Sequence, residues 1–280
     1  MPVDLHLHSN NSDGADTPEQ VMELAADAGL SHVALTDHDT LAGVDRAKVA
    51  AQRHGIGFIS GIELSVDHDH TKIHMLVYFL DSGDGPLQSH LGALREGRDS
   101  RNIVIIENLK NLGYEITLED VQRQAEGPSV GRPHIADALV EKGYLTSRDE
   151  AFSDLLHDGG TAYVGRPRLT ATESIDLARA SGAVPVIAHP VTMGLTREGY
   201  AETFHELTDL GLGGIEAHHP MHDLDLRAHL MDLASTLGIA ATGGSDYHGA
   251  AKRAYRVGTG RGDLHVPESA VEQLIDQRIR

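Results

Sequence analysis

The chain of 280 residues predicts an α/β fold built on a parallel sheet, closed or doubly wound. Three observations carry this: apolar runs of strand length, helical segments between them, and His, Asp or Glu where the runs end. The first run is at the start, Met1-Pro-Val-Asp-Leu-His-Leu-His8. Val3, Leu5 and Leu7 alternate with Asp4, His6 and His8, so a strand here has one apolar face and sets two imidazoles side by side on the other. We expect a buried first strand with a wet, functional face, and no room for a leader before it.

Thr17-Pro18-Glu-Gln20 then reads as an N-cap, a proline at the first helical position and a capping glutamine. Val21, Leu24, Ala25 and Ala28 follow at helical spacing until Gly29 stops the helix. Val33 to Asp39 is an apolar run ending in Asp37-His38-Asp39; Gly57 to Glu63 ends in a carboxylate; Lys72 to Tyr78 carries His74 within a strand-like run. Later, a helix over 172–180 precedes a strand ending at His189, a helix over 200–210 precedes Gly214 to His218, and a helix over 224–237 precedes a strand ending at Ser245-Asp246-Tyr-His248. In barrels of this class, active sites gather at the carboxyl ends of the strands.

His-x-His alone proves little in a chain with 19 histidines. The second such pair, His68/His70, sits in a polar run and reads as a solvated loop. His6/His8 is judged by its company of strand ends, and that company carries a resemblance. His6-Leu-His8, Ser12-Asp13-Gly14, Thr36-Asp37-His38, Gly61-Ile-Glu63, His74, Ala188-His189-Pro190 and Ser245-Asp246-Tyr-His248 resemble the PHP family, named for polymerase and histidinol phosphatase, and specifically its nucleotide-phosphatase branch.

The resemblance covers nearly the whole chain. It implies a distorted seven-stranded (β/α) TIM-like barrel with two to three divalent metals at its carboxyl face. Carried over by position, His6, His8, Glu63 and Asp246 hold the first metal, and Glu63 bridges to a second held by His74 and His189. Asp13, His38 and His248 hold the third. Mixed imidazole and carboxylate donors favour Mn²⁺ as the expected ion, with Fe²⁺, Zn²⁺ and Mg²⁺ as alternatives. Asp37 and Asp39 are expected to orient imidazoles or cap a helix rather than ligate. Asp4 is expected beside the ligands or at the barrel floor.

From about His90 to Gly165 the β-α rhythm breaks. Ile103, Ile106 and Leu109 have helical spacing, segments 118–124 and 135–142 read as short helices, and no buried strand is evident. We therefore expect a barrel from 1–90 and 166–280 with a helical cap subdomain inserted at 91–165. Lys and Arg make that insertion less acidic than the remainder, and it could close over a small ligand. Within it, Ser129-Val-Gly-Arg132-Pro-His134 precedes a helical run; the resemblance implies that Arg132 and His134 contact substrate phosphate. Gly165-Arg166-Pro-Arg168 reads as solvated linker arginines. The cluster His218-His-Pro-Met-His222 could face the site, with His222 a candidate acid for the leaving group.

A formal charge of −19 argues against coating nucleic acid or an anionic membrane. The absence of Cys excludes disulfides and thiol catalysis. We expect a cytoplasmic enzyme with no membrane or protein partner evident. Its expected reaction is attack of a metal-bridging hydroxide on a phosphomonoester of a small nucleotide, of the nucleoside 3′,5′-bisphosphate 3′-phosphatase or AMP phosphatase type. A 5′-to-3′ exonuclease on short oligonucleotides is the alternative enzyme. A metal-binding PHP module without catalysis is the alternative of another class.

Overall fold

The computed structural model describes residues 2–69, 71–125, 127, 130–249 and 254–279; His70 and Ser129 lie outside them. Its sheet runs in the order β8-β7-β6-β4-β3-β2-β1-β9. The main strands are β1 (Pro2–Leu7), β2 (His32–Leu35), β3 (Gly57–His68), β4 (Thr71–Tyr78), β6 (Val184–Ile187), β7 (Gly214–His218) and β8 (Ala240–Gly243). Two strands of two residues, β5 (Leu169–Thr170) and β9 (Val266–Pro267), attach to β3 and β1. The fold is thus mixed α/β around a nearly closed barrel.

One expectation needs correcting, because the sheet is not parallel throughout. β4 runs antiparallel to both β3 and β6, while β1-β2-β3 and β6-β7-β8 are parallel. The cause is the tight connection between β3 and β4, which has no room for a crossover helix. It also explains why His74 stands near the start of its strand: an antiparallel strand begins where its neighbours end. The same hairpin extends β3 to His68, which pairs with Thr71 and is not in a loop.

The barrel closes at its mouth. His8 N–H donates to Tyr247 O and Asp246 N–H to His6 O, each at 3.0 Å, joining the segment after β8 to the end of β1. Asp4 reinforces this seam by accepting from the Ser245 and Gly258 N–H groups at 2.9 and 2.7 Å. Only glycine fits at 244, where a Cβ would stand 2.4 Å from His6 Cβ and N.

The helices follow their capping chemistry. α1 (Pro18–Asp27) has the expected capping box between Thr17 and Gln20. α2 (Val44–His54), α7 (Ala171–Ala180), α8 (Arg197–Asp209), α9 (Leu224–Leu237) and α10 (Ser269–Ile279) cover the sheet. Between β4 and β5 lie α3 (Gln88–Asn111), α4 (Leu118–Arg123), α5 (Arg132–Glu141) and α6 (Arg148–Asp154). α3 begins earlier than its apolar spacing suggested and belongs to two cores. Leu91 and Leu94 pack into the barrel cluster, whereas Ile105, Ile106 and Leu109 pack with Val121, Ile135 and Leu139 in a separate one. Ile103, read as a core position, faces solvent. Among the described residues no helix is long and apolar enough to cross a membrane.

Candidate metal centre

The strand ends bring all the proposed ligands into one cluster. Glu63 from β3 stands at its middle and divides its oxygens between two sets. Oε1 lies 2.8 Å from His74 Nδ1 and 3.0 Å from His189 Nε2. Oε2 lies 3.3 Å from His6 Nε2, 3.1 Å from His8 Nε2 and 3.2 Å from His38 Nδ1. Asp246 Oδ1 faces the same two imidazoles of β1, at 3.6 Å from His6 and 3.5 Å from His8. Asp13 and His248 sit to one side, with Oδ1 and Nε2 3.2 Å apart, and His38 Nε2 is 3.8 Å from Asp13 Oδ2.

These residues form four groups compact enough for a cation: His8/Asp13/His38/His248, His6/Glu63/His189, His6/His8/Asp246 and His38/Glu63/His74. The groups share members, so the cluster is continuous. His8 joins the Asp13 side as well as the Asp246 side, a sharing that the sequence motifs did not indicate.

The donor chemistry fits divalent cations. His6 Nε2 and His8 Nε2 are 3.1 Å apart, and His6 Nδ1 is already engaged by Glu216 Oε1 at 2.9 Å. A neutral His6 therefore turns a lone pair toward its neighbour's nitrogen, an arrangement a shared cation relieves. His248 follows the same logic, its Nδ1–H donating to Asp246 O at 2.8 Å and leaving Nε2 toward Asp13. The buried Nδ1 of His8 has no hydrogen-bond partner, which is costly unless another ligand satisfies it, and the Nδ1 atoms of His38 and His74 meet Glu63 at 3.2 and 2.8 Å without hydrogen-bond geometry. Burial would push the Glu63 carboxyl up, but His38, His74 and His6 hold it well below the usual carboxylate range. Asp13 is held low in the same way by His248 and His38.

The polar face of β1 is therefore functional in composition but not wet: Asp4, His6 and His8 are fully buried. Around them the backbone takes the left-handed region at His189 (φ 27°), Asp246 (φ 52°) and Asp39 (φ 53°). Such conformations are uncommon for residues other than Gly and cluster at functional sites.

The neighbouring carboxylates take distinct roles. Asp37 accepts from Ser9 N–H, Ser9 Oγ and Ser12 Oγ at 2.7, 2.6 and 2.7 Å, fixing the loop that carries Asp13. Asp39 pairs with Arg98 and Arg166 at 2.5 and 2.6 Å. Arg166 is accordingly buried and ion-paired, not a solvated linker residue. Arg168 also reaches a carboxylate, Asp67, at 3.4 Å.

Two further contributors emerge: Glu216, not singled out from the sequence, and His219, noted there only within the cluster His218-His-Pro-Met-His222. Glu216 on β7 holds His6 and also accepts the His189 N–H at 2.6 Å; a lone carboxylate inside the apolar run Gly214 to Ala217 was the available signal. His219 is fully buried, accepts Met221 N–H at Nδ1 (3.2 Å), and so carries its proton on Nε2, 3.5 Å from Asp246 Oδ2. His222 fits the role of leaving-group acid poorly. Its Nδ1–H donates to Ala217 O, and burial pushes its pKa down to about 4.

A cleft of about 420 Å³ opens beside the cluster, lined by Asp13, His38 and His74 from the barrel and by Arg98, Arg101 and Arg132 from the insertion. Arg132 Nη1 donates to Leu156 O at 2.9 Å and lies 3.1 Å from Asp158. His134 is buried at the start of α5, accepts Gly131 N–H at Nδ1 (3.0 Å), and keeps its remaining proton on Nε2. Burial lowers its pKa, so the ring is neutral near pH 7.

Comparison with known proteins agrees with this architecture. The PHP domain family profile matches residues 4–151. The chain is 34% identical to a phosphoribosyl 1,2-cyclic phosphate 1,2-diphosphodiesterase from Eggerthella lenta, over 92% of this chain and 98% of the relative. It is 31% identical to a 3′,5′-nucleoside bisphosphate phosphatase from Chromobacterium violaceum, covering 88% and 87%. It is likewise 31% identical to the 5′-3′ exoribonuclease Rnm of Escherichia coli, covering 88% and 84%. A solved structure from Bifidobacterium adolescentis, assigned to the metal-dependent phosphoesterases, superimposes with a TM-score of 0.87 at 30% identity, covering 99% and 98% of the two chains. Ligand-type residues at the ends of successive strands and a profile match over more than half the chain make this protein a member of the PHP domain family.

Proposed function

We propose that the protein is a divalent-metal-dependent phosphoesterase that hydrolyses phosphomonoesters of small nucleotides, of the nucleoside 3′,5′-bisphosphate or AMP phosphatase type. The observation that carries this is one cleft lined both by the imidazoles and carboxylate of Asp13, His38 and His74 and by the guanidinium groups of Arg98, Arg101 and Arg132. The relative named a 3′,5′-nucleoside bisphosphate phosphatase supports this class, and those named a cyclic phosphate diphosphodiesterase and an exoribonuclease support phosphoester hydrolysis more broadly.

In this reading His6, His8, Glu63 and Asp246 hold one cation, Glu63, His74 and His189 a second, and Asp13, His38 and His248 a third. Imidazole-rich sets suit Mn²⁺, Fe²⁺ or Zn²⁺ better than Mg²⁺. Bound cations supply Lewis-acid charge and a water acidic enough to act as nucleophile at neutral pH. The chain itself does the rest. Glu216 fixes the tautomer of His6, and His219 places its Nε2 3.5 Å from Asp246 Oδ2 without hydrogen-bond geometry. Arg132 offers a guanidinium to phosphoryl oxygens from the cap side, and His134 keeps one donor, on Nε2, for the same task. The helices α3, α5 and α6 contribute to the lining of the cleft. A groove of about 570 Å³, lined by Asn11, Thr40, Arg95 and Arg98 among others, adjoins at Arg98 and offers space for a nucleoside.

The test is phosphate release, with added Mn²⁺, from adenosine 3′,5′-bisphosphate beside AMP, 3′-AMP and a short 5′-phosphorylated RNA. Preferred conversion of the bisphosphate to 5′-AMP is the expected result. Stepwise release of mononucleotides from the RNA establishes the exonuclease instead. No turnover of any substrate by metal-loaded protein sinks the enzymatic reading and leaves a metal-binding module.

A further inference from the structure

The cations of the cleft are matched to carboxylates with one exception. Asp39 takes Arg98 and Arg166, Asp158 takes Lys72 at 2.6 Å and Arg132 at 3.1 Å, and Asp67 takes Arg168. Arg101, on α3, is only 7% exposed, yet among the described residues no carboxylate pairs with it. Its Nη2 donates to Asn102 Oδ1 at 2.8 Å, and its buried Nε has no partner. Asn102 is itself pinned, donating from Nδ2 to Val130 O at 2.8 Å. The amide oxygen thus steers the guanidinium without neutralising it. Burial, with Arg132, Arg166 and Arg98 nearby, pushes the Arg101 pKa down to about 9.

A buried guanidinium held in place and left without a counter-charge is costly in the free protein and favourable only when an anion arrives. Arg101 lines the same cleft as Asp13, His38 and His74. The anion it awaits therefore shares the cleft with the phosphate at the barrel mouth. We infer that Arg101 forms, on the cap wall of the cleft, a subsite for a second phosphate of the substrate, selecting ligands with two phosphates over those with one. This rests on the phosphoesterase reading above. The second phosphate has two sources with one chemistry: the terminal phosphate of a bisphosphorylated nucleoside, or the next backbone phosphate of an oligonucleotide. A guanidinium fork accepts both.

The test uses Arg101→Met in the full chain. The ratio of kcat/KM for adenosine 3′,5′-bisphosphate to that for 3′-AMP falls roughly 10- to 100-fold, the size of one charge-assisted hydrogen-bonded contact. Arg101→Lys, which keeps the charge but loses the fork, recovers part of it. An unchanged ratio overturns the inference, because an equal loss on both substrates places Arg101 on the scissile phosphate or in the scaffold.

A second measurement needs no turnover: calorimetric binding of adenosine 3′,5′-bisphosphate and of a 5′-phosphorylated dinucleotide to the metal-free protein. Weakening by a similar factor supports the subsite, and the ligand weakened more identifies its source; unchanged affinity for both overturns it. If the wild type binds in this way but hydrolyses nothing, the phosphoesterase reading fails while the subsite stands. The unliganded Arg101→Met protein keeps or raises its Tm, since an unmatched buried charge has been removed. A lowered Tm marks a structural arginine and overturns the proposal.

Discussion

The barrel mouth and the cap wall bury charge in opposite ways. At the mouth, carboxylates and imidazole nitrogens converge, so that His6 and His8 face each other at 3.1 Å and the buried Nδ1 of His8 goes unpartnered. On the cap wall guanidinium groups converge, most of them matched by Asp39, Asp158 or Asp67. The mouth is short of cations and the cap wall short of one anion. The difference teaches how a strongly acidic chain can still hold phosphate: six of its fixed cations line the cleft that the metal-ligand residues open into.

The sharpest way to break the mouth is Glu63→Gln. One carboxylate serves both oxygen-facing sets, so its loss weakens two cation positions together. We expect metal per protein, read by elemental analysis, to fall, and phosphate release to drop on the order of 10³-fold. Unchanged metal content and activity would overturn the central role of Glu63.

Asp39→Asn tests the boundary between the regions. Asp39 follows β2, Arg98 is on α3, and Arg166 lies on the segment returning from the cap, so one carboxylate clasps the insertion to the barrel at both ends. The carboxyl is held at about 2 by Arg98 and Arg166 against the cost of its burial. Removing its charge leaves two buried cations unmatched, and thermal or urea unfolding should show a loss of about 3–5 kcal/mol. A loss within 0.5 kcal/mol, the range typical of surface substitutions, would mean that the clasp is replaceable.

Glu216→Gln is milder because the amide oxygen still accepts from one of the two donors, His6 Nδ1–H or the His189 N–H, which use separate oxygens of Glu216. Metal affinity should fall about 10- to 100-fold with little change in folding stability. The variant separates groups that orient ligands from the ligands themselves, and a loss as large as that of Glu63→Gln would erase the distinction.

Legibility divided along the same line. Most residues gathered at the mouth were readable as chemically distinctive side chains in or at the end of apolar runs, while the family resemblance supplied the ligand set, including Asp13, which ends no such run. His74 was found without its strand's direction, since the hairpin that reverses β4 leaves little mark in the sequence. The cap wall was far less readable. Arg166 looked like a solvated linker arginine because its partner Asp39 is 127 positions away, and no local pattern announces a pairing of that range. Arg101 looked like one arginine among several on a helix, its significance lying in the carboxylate it lacks. Glu216 could have been noticed, since a carboxylate within an apolar strand needs a partner; His219 was noticed only within its histidine cluster, because its proton position depends on the Met221 N–H.

The smallest effect concerns the cap's own fold and is read through pH. Asp120 caps α4 with Thr117 and pairs with Lys142 and Arg123, each at 2.5 Å. These partners, Lys142 foremost, hold its carboxyl well below the usual range. A depressed folded pKa means that the contribution is full above the unfolded value of about 3.9 and fades as pH falls through the lower, folded value. Hydrogen exchange across Leu118–Arg123 should therefore be faster in Asp120→Asn than in the wild type near neutrality. The two proteins should converge on acidification below about pH 4. A difference independent of pH would show that Asp120 acts through its shape as a cap residue, with its charge contributing nothing to the cap.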